Sequence, residues 1–133
     1  MATRATYTFV DLIRKLTTTA YIHYDGYDFG AAEYLDKMLT LSADKKYFGG
    51  YFEQFIRANP KAEIVKDPKD HIDTEYHYKI FEDPFNPPTI KAYAYKWNDP
   101  VLDGNDLRVE KLFFDGTLES FLNRFRKQNN EEI

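Results

Sequence analysis

The chain has 133 residues, of which 18 are basic and 22 acidic, a formal net charge of −4 and no cysteine. A domain of this size buries its own core without disulfides or a metal, and the missing thiols exclude disulfide scaffolds, thiolate zinc sites and thiol nucleophiles. The acidic balance argues against a nucleic-acid polymer as partner, and no apolar run approaches the roughly 20 residues of a membrane helix.

Arg4–Val10 alternates, with Ala5, Tyr7 and Phe9 on one face and Arg4, Thr6 and Thr8 on the other, which predicts a half-buried strand. Thr17–Tyr24 is rich in β-branched and aromatic residues and predicts a second strand, paired with the first as a hairpin. Asp25-Gly26 breaks that pattern. Ala31, Tyr34, Leu35, Met38 and Leu39 then recur at helical spacing and predict a helix from near Phe29. A second helix carries Tyr51, Phe52, Phe55 and Ile56 on its apolar stripe and ends at Asn59-Pro60. Lys61–Thr74 is polar, contains Pro68 and predicts a mobile loop. Glu75–Glu82, Thr89–Trp97 and Arg108–Phe114 predict three more strands, with Pro-, Gly- and Asx-rich linkers as turns. After Asp115-Gly116, Thr117 is the expected N-cap of a last helix that buries Leu118, Phe121, Leu122 and Phe125. The polar tail Lys127–Ile133 is expected to fray. The order ββααβββα predicts an α+β fold with an antiparallel sheet, in a single domain over residues 1–133.

Few residues offer catalysis. His23 and Asp25 stand two apart on the expected strand, so they share a face and suit an acid/base pair. Gly26 tolerates positive φ, and the helix that follows offers free N–H groups to an anion. A plain strand–turn–helix corner capped by Asp25 accounts for the same residues, with Tyr24 and Asp25 as a pocket wall. The three histidines, His23, His71 and His77, lack the spacing of a zinc site, so no metal is expected. Ser42 and Ser120 lie in no nucleophile motif. No catalytic residue is assigned and no cofactor is expected.

Ligand binding fits better. Aromatic residues make up 17% of the chain, with 11 Tyr, 11 Phe and 1 Trp, and a ligand bearing adenine and phosphate needs rings to stack on and cations for its charge. Tyr93, Tyr95 and Trp97 line one face of a strand, and Asn98 follows. Arg57 ends the second helix, Arg108 opens a strand, and Arg124 lies beside Phe121 and Phe125 on the last helix.

Three segments carry a resemblance: TRATYTF at Thr3–Phe9, YIHYDGYDFGAAEYL at Tyr21–Leu35 and FFDGTLESFLNRF at Phe113–Phe125. They resemble a group of small phage proteins that share an H-x-D-G-Y motif. Within that group the chain is similar to the first family of Thoeris anti-defence proteins. The resemblance implies a phage-encoded sponge in the host bacterial cytoplasm. Such a sponge binds the cyclic ADP-ribose isomer (glycocyclic ADP-ribose type) made by a Toll/interleukin-receptor (TIR) enzyme and holds it without cleaving it. It also implies a homo-oligomer built from dimers, with the ligand at the protomer interface. Two other readings stay open: a phage inhibitor that binds a protein through its aromatic face, and a phosphodiester or glycosidic hydrolase using His23 and Asp25.

Overall fold

A computed structural model describes residues 3–42, 50–66, 74–83, 85–97 and 108–131. Along the chain the elements are β1 (Ala5–Asp11), β2 (Leu16–Ile22), α1 (Asp28–Ser42), α2 (Tyr51–Ala58), β3 (Glu63–Val65), β4 (Tyr76–Glu82), β5 (Thr89–Trp97), β6 (Arg108–Thr117) and α3 (Leu118–Glu131). The strands form one six-stranded sheet in the order β3-β2-β1-β4-β5-β6.

The α+β class holds, but the sheet is mixed rather than antiparallel. β1 and β4 run parallel, with Tyr7 beside Tyr78, while every other neighbouring pair is antiparallel. Two antiparallel three-stranded units therefore meet at a parallel seam. A parallel pair needs a crossover of a dozen or more residues, and the segment holding α1 and α2 supplies it. Alternation of side chains reads the same in either direction, so the seam leaves no mark in the pattern.

Three expected boundaries are corrected. The predicted loop Lys61–Thr74 contains β3, which pairs with β2 through Glu63 and Tyr21; a three-residue strand is too short to show alternation, and residues 67–73 lie outside the described residues. The second strand ends at Ile22 rather than Tyr24. The last strand runs through Asp115-Gly116 to Thr117, because Gly116 pairs with Ile90 and Thr117 with Thr89. Pairing overrides the turn preference of Asp-Gly there. An irregularity at Ala92/Tyr93 lets both Phe113 and Phe114 reach the last helix, Phe113 against Phe125 and Phe114 against Phe121. Thr117 caps α3 as expected, its Oγ1 accepting the Ser120 N–H at 3.1 Å.

The three helices among the described residues pack on one face of the sheet. Tyr7 and Phe9 point to that face and meet Phe55 of α2 at ring separations of 4.8 and 5.1 Å. Tyr7 stacks on Tyr78 at 5.2 Å with planes 15° apart, and Tyr78 meets Phe121 of α3. Thr6 and Thr8 are buried as well. β1 is thus buried on both faces, not half-buried, because it is a central strand.

The seam also fixes the corner between β2 and α1. The Tyr78 hydroxyl donates to the Gly26 carbonyl at 2.6 Å, and the Gly26 N–H donates to the Thr3 carbonyl at 2.8 Å. A Cβ on Gly26 would stand 2.6 Å from the Ala5 Cβ and 2.9 Å from the Thr3 carbonyl oxygen. Only glycine lets the corner lie this close to β1. Gly26→Ala is therefore expected to cost about 2–3 kcal/mol by overpacking. Urea denaturation measures it, and an unchanged midpoint would mean that the corner does not press on β1.

Candidate functional site

β2 stops at Ile22, and Asp25 then turns the chain at a left-handed φ of 55°, a conformation that aspartate tolerates. α1 begins three residues later. α2 is held against it by Asn59, whose side-chain amide donates to the Phe55 carbonyl at 3.0 Å and to the Tyr34 carbonyl at 3.2 Å. The two helices leave a pair of adjoining clefts. One, of about 280 Å³, is lined by Asp25, Glu33, Tyr34, Lys37, Asn59 and Lys61, among others. The second, of about 420 Å³, is lined by Asp36, Lys37, Thr40, Leu41, Arg57 and Ala58. Lys37 and Ala58 belong to both, so the clefts form one groove.

The groove is rich in cations and rings. The Lys61 ammonium lies over the Tyr24 ring at 5.7 Å, and that of Lys37 over the Tyr34 ring at 5.9 Å. The Tyr34 hydroxyl donates to the Tyr24 carbonyl at 3.0 Å. Burial pushes the Tyr34 phenol up, and the Asp25 and Glu33 carboxylates add to this, so it remains a donor. Tyr7 packs edge-on beneath Tyr34. Its hydroxyl is buried and has no hydrogen-bond partner among the described residues. Burial, then the neighbouring Tyr34 and Asp25, keeps it neutral.

The opposite face of the sheet carries a different set of groups. The Thr8 hydroxyl lies 3.0 Å from His77 Nε2 and 3.0 Å from the Thr19 hydroxyl. His77 Nδ1 lies 3.0 Å from Glu110 Oε1, which also accepts from the Tyr95 hydroxyl at 2.9 Å. A carboxylate only accepts, so the neutral imidazole carries its proton on Nδ1 and Nε2 accepts from Thr8. Thr8 then accepts from Thr19. The order hydroxyl–imidazole–carboxylate is that of a catalytic triad, but Thr8 is 4% exposed and its oxygen is already engaged on both sides. It is a brace across the strands. Tyr93 stacks on His77 at 5.9 Å, with the Lys79 ammonium over its ring.

The sequence-predicted site residues divide accordingly. Arg57, Tyr24 and Asp25 lie along the groove. Tyr93 and Tyr95 lie on the far face with His77. Arg124 lies on α3 with its guanidinium over Phe114 and Phe125. Trp97 and Arg108 pair at the end of β5 and β6, while their side chains, like Asn98, lie outside the described residues. His23 and Asp25 do not share a strand face, because the strand has already ended; His23 Nδ1 instead lies 3.2 Å from the Tyr21 hydroxyl. Lys37, Lys61, Tyr34 and Asn59 are additions from the structure. Only the packing of α2 on α1 gathers them.

Among the described residues no group of three or more His, Asp or Glu side chains converges to hold a metal ion, and no helix is long and apolar enough to cross a membrane. Comparison with protein-family models, curated proteins and solved structures returns no match.

The brace has a pH signature. Burial holds the His77 imidazolium below the usual histidine range, outweighing the hydrogen bond to Glu110. The unfolded chain takes up this proton near pH 6.5 and the folded chain only at lower pH. Its contribution to stability is complete above pH 6.5 and is lost as pH falls through the folded value. Burial raises Glu110, but its hydrogen bonds from His77 and Tyr95 leave it low, so a second loss follows in more acid solution. The urea midpoint is expected to drop between pH 7.5 and 5.5, and to drop less in His77→Gln. An equal drop in both proteins would assign the pH dependence to other groups.

Proposed function

We propose that this chain binds a phosphate-bearing nucleotide signal of the cyclic ADP-ribose type in the α1–α2 groove and sequesters it without cleaving it. In a host bacterial cytoplasm this would block Thoeris-type TIR signalling. The observation that carries the reading is the placement of Lys37 in both clefts, with Arg57 in one and Lys61 over Tyr24 at the other. Cations at intervals along a groove suit a pyrophosphate, and an exposed tyrosine ring suits a base. Asp25, Glu33 and Asp36 on the same groove disfavour bare phosphate and suit ribose hydroxyls or an exocyclic amine as hydrogen-bond donors. The isomer class comes from the resemblance at Tyr21–Leu35.

A second protomer gives the remaining residues a role. Tyr93, Tyr95 and Arg124 lie away from the groove of their own chain, so on this reading a partner copy brings them to the ligand in a dimer-based oligomer.

Cyclic ADP-ribose and its glycocyclic isomers, titrated by calorimetry and then released by heat, test the proposal. Tight binding with intact release is expected, and recovery of linear products would indicate a hydrolase instead. Arg57→Ala and Lys37→Ala are each expected to weaken binding about tenfold or more, as for loss of a charge-assisted hydrogen bond. Unchanged affinity in both would move the site out of the groove. Light scattering with ligand bound is expected to report dimers or larger; a monomer with full affinity would remove the partner copy from the site.

A further inference from the structure

Because β1 and β4 are parallel, the β1–β2 and β4–β5 turns project from the same end of the sheet. They are joined there by a hydrogen bond from the Leu12 N–H to the Glu82 carbonyl at 2.9 Å. Both strands finish in the same device. Asp11 Oδ1 accepts the Ile13 N–H at 2.9 Å, and Asp83 Oδ1 accepts the Phe85 N–H at 2.8 Å. Each aspartate thus folds its turn so that an apolar residue two positions on stands out from the sheet. Ile13 is 56% exposed and Phe85 91%, with Leu12 at 48% and Leu16 at 49% beside them.

Turn chemistry alone does not favour this arrangement. Exposed hairpin tips favour Gly, Asn, Asp and Pro; here Leu12-Ile13 occupies the tip, and Lys15 takes a φ of 56°, which glycine or asparagine would adopt more readily. The tip is nonetheless held firmly. Asp11 Oδ1 also accepts the Arg14 N–H at 2.9 Å, Arg14 Nε donates to Asp11 Oδ2 at 2.7 Å, and the guanidinium pairs with Glu53. Glu53 in turn accepts the Gly50 N–H at the start of α2. A rigid tip that displays aliphatic side chains is organised for contact. The four side chains expose roughly a few hundred Å², the size at which apolar patches on monomers mark interaction sites.

We propose that this end of the sheet is a docking surface for a partner protein that offers an apolar cleft with a basic rim. Charge decides the kind of partner. Among the described residues the tips and the strand ends beneath them carry the carboxylates Asp11, Glu82 and Asp83, with Glu53 reaching in from α2, against the cations Arg14 and Lys15, and Arg14 is engaged by Asp11 and Glu53. A second copy of this chain would set the same acidic surplus against itself, and like charges across an interface are disfavoured. An anionic lipid surface is disfavoured for the same reason. The patch is smaller than the roughly 800 Å² per side of a standard stable complex, so it acts as the anchor of a brief contact or as one part of a larger one.

The test uses the full chain and two helical peptides with the same leucine face, one with lysine and one with glutamate on its polar face. Backbone amide shifts are followed by NMR. The leucine–lysine peptide is expected to shift the amides of residues 12–16 and 85. The leucine–glutamate peptide is expected to bind at least tenfold more weakly. The double substitution Ile13→Ser, Phe85→Ser is expected to weaken the first peptide at least tenfold with an unchanged urea midpoint. Equal binding of the two peptides, shifts centred elsewhere, or indifference to the substitutions overturns the proposal. Concentration-dependent shifts at the tips without peptide would make a second copy the occupant, and preferential binding of the tips to phosphatidylcholine vesicles would make it a lipid surface; either result also overturns it. Nucleotide binding is not read in this experiment, so its failure leaves the groove untouched.

Discussion

The hydrogen bond from the Tyr78 hydroxyl to the Gly26 carbonyl, set at the end of the Tyr7–Tyr78 stack, is the constraint on which the rest of the molecule turns. It joins the parallel seam at the centre of the sheet to the corner that starts α1. A stacked aromatic pair contributes about 0.5–1.5 kcal/mol beyond its buried area. Loss of a buried partner costs about 1–3 kcal/mol more, since it leaves the carbonyl unsatisfied. The corner places α1, α1 holds α2 through the Asn59 amide on the Tyr34 carbonyl, and the line between those helices is the groove. The position of every groove cation therefore follows from contacts made at the seam.

The two faces of the sheet serve different ends. The helix face is built from rings: Tyr7, Tyr78, Phe55, Phe121 and Phe125 form a connected set. The other face is built from hydroxyls and one imidazole, with Thr19, Thr8, His77, Glu110 and Tyr95 linked across five strands. Burying such groups is tolerable only because each is paired. The pairing explains why Thr8 sits in a buried strand, and why a glutamate on β6 reaches over β5 to a histidine on β4. The same parallel seam sends two turns out of one end of the sheet. Core stacking, brace and displayed tips are thus three consequences of one strand pairing.

Much of the local structure was legible in the residues. Ala5, Tyr7 and Phe9 alternate and do face the core; Thr117 does cap α3; Asn59-Pro60 does end α2. The parallel seam was not legible, since periodicity carries no direction. β3 was too short to show a pattern, and the Asp115-Gly116 turn lost to pairing with β5. The same limits applied to the candidate site. Tyr93 and Tyr95 were rightly placed on one strand face, but nothing local said that Arg57 would lie on the other side of the sheet. Lys37 and Lys61 reach one groove only through the packing of α2 on α1. His77 drew notice only for lacking a metal-ligand spacing, and its real partners, Thr8 and Glu110, are far from it in sequence.

Native-state hydrogen exchange on the wild-type chain and on Tyr78→Phe tests the anchoring of the corner most directly. The Gly26 N–H donates to Thr3 and the Ala31 N–H to the Tyr27 carbonyl, so both report on the corner. In the wild type both amides are expected to exchange with the free energy of the β1 amides, through global unfolding. In Tyr78→Phe they are expected to exchange about 1–3 kcal/mol more readily than in the wild type. Corner amides that already exchange far faster than β1 in the wild type, with no change on substitution, would contradict the account.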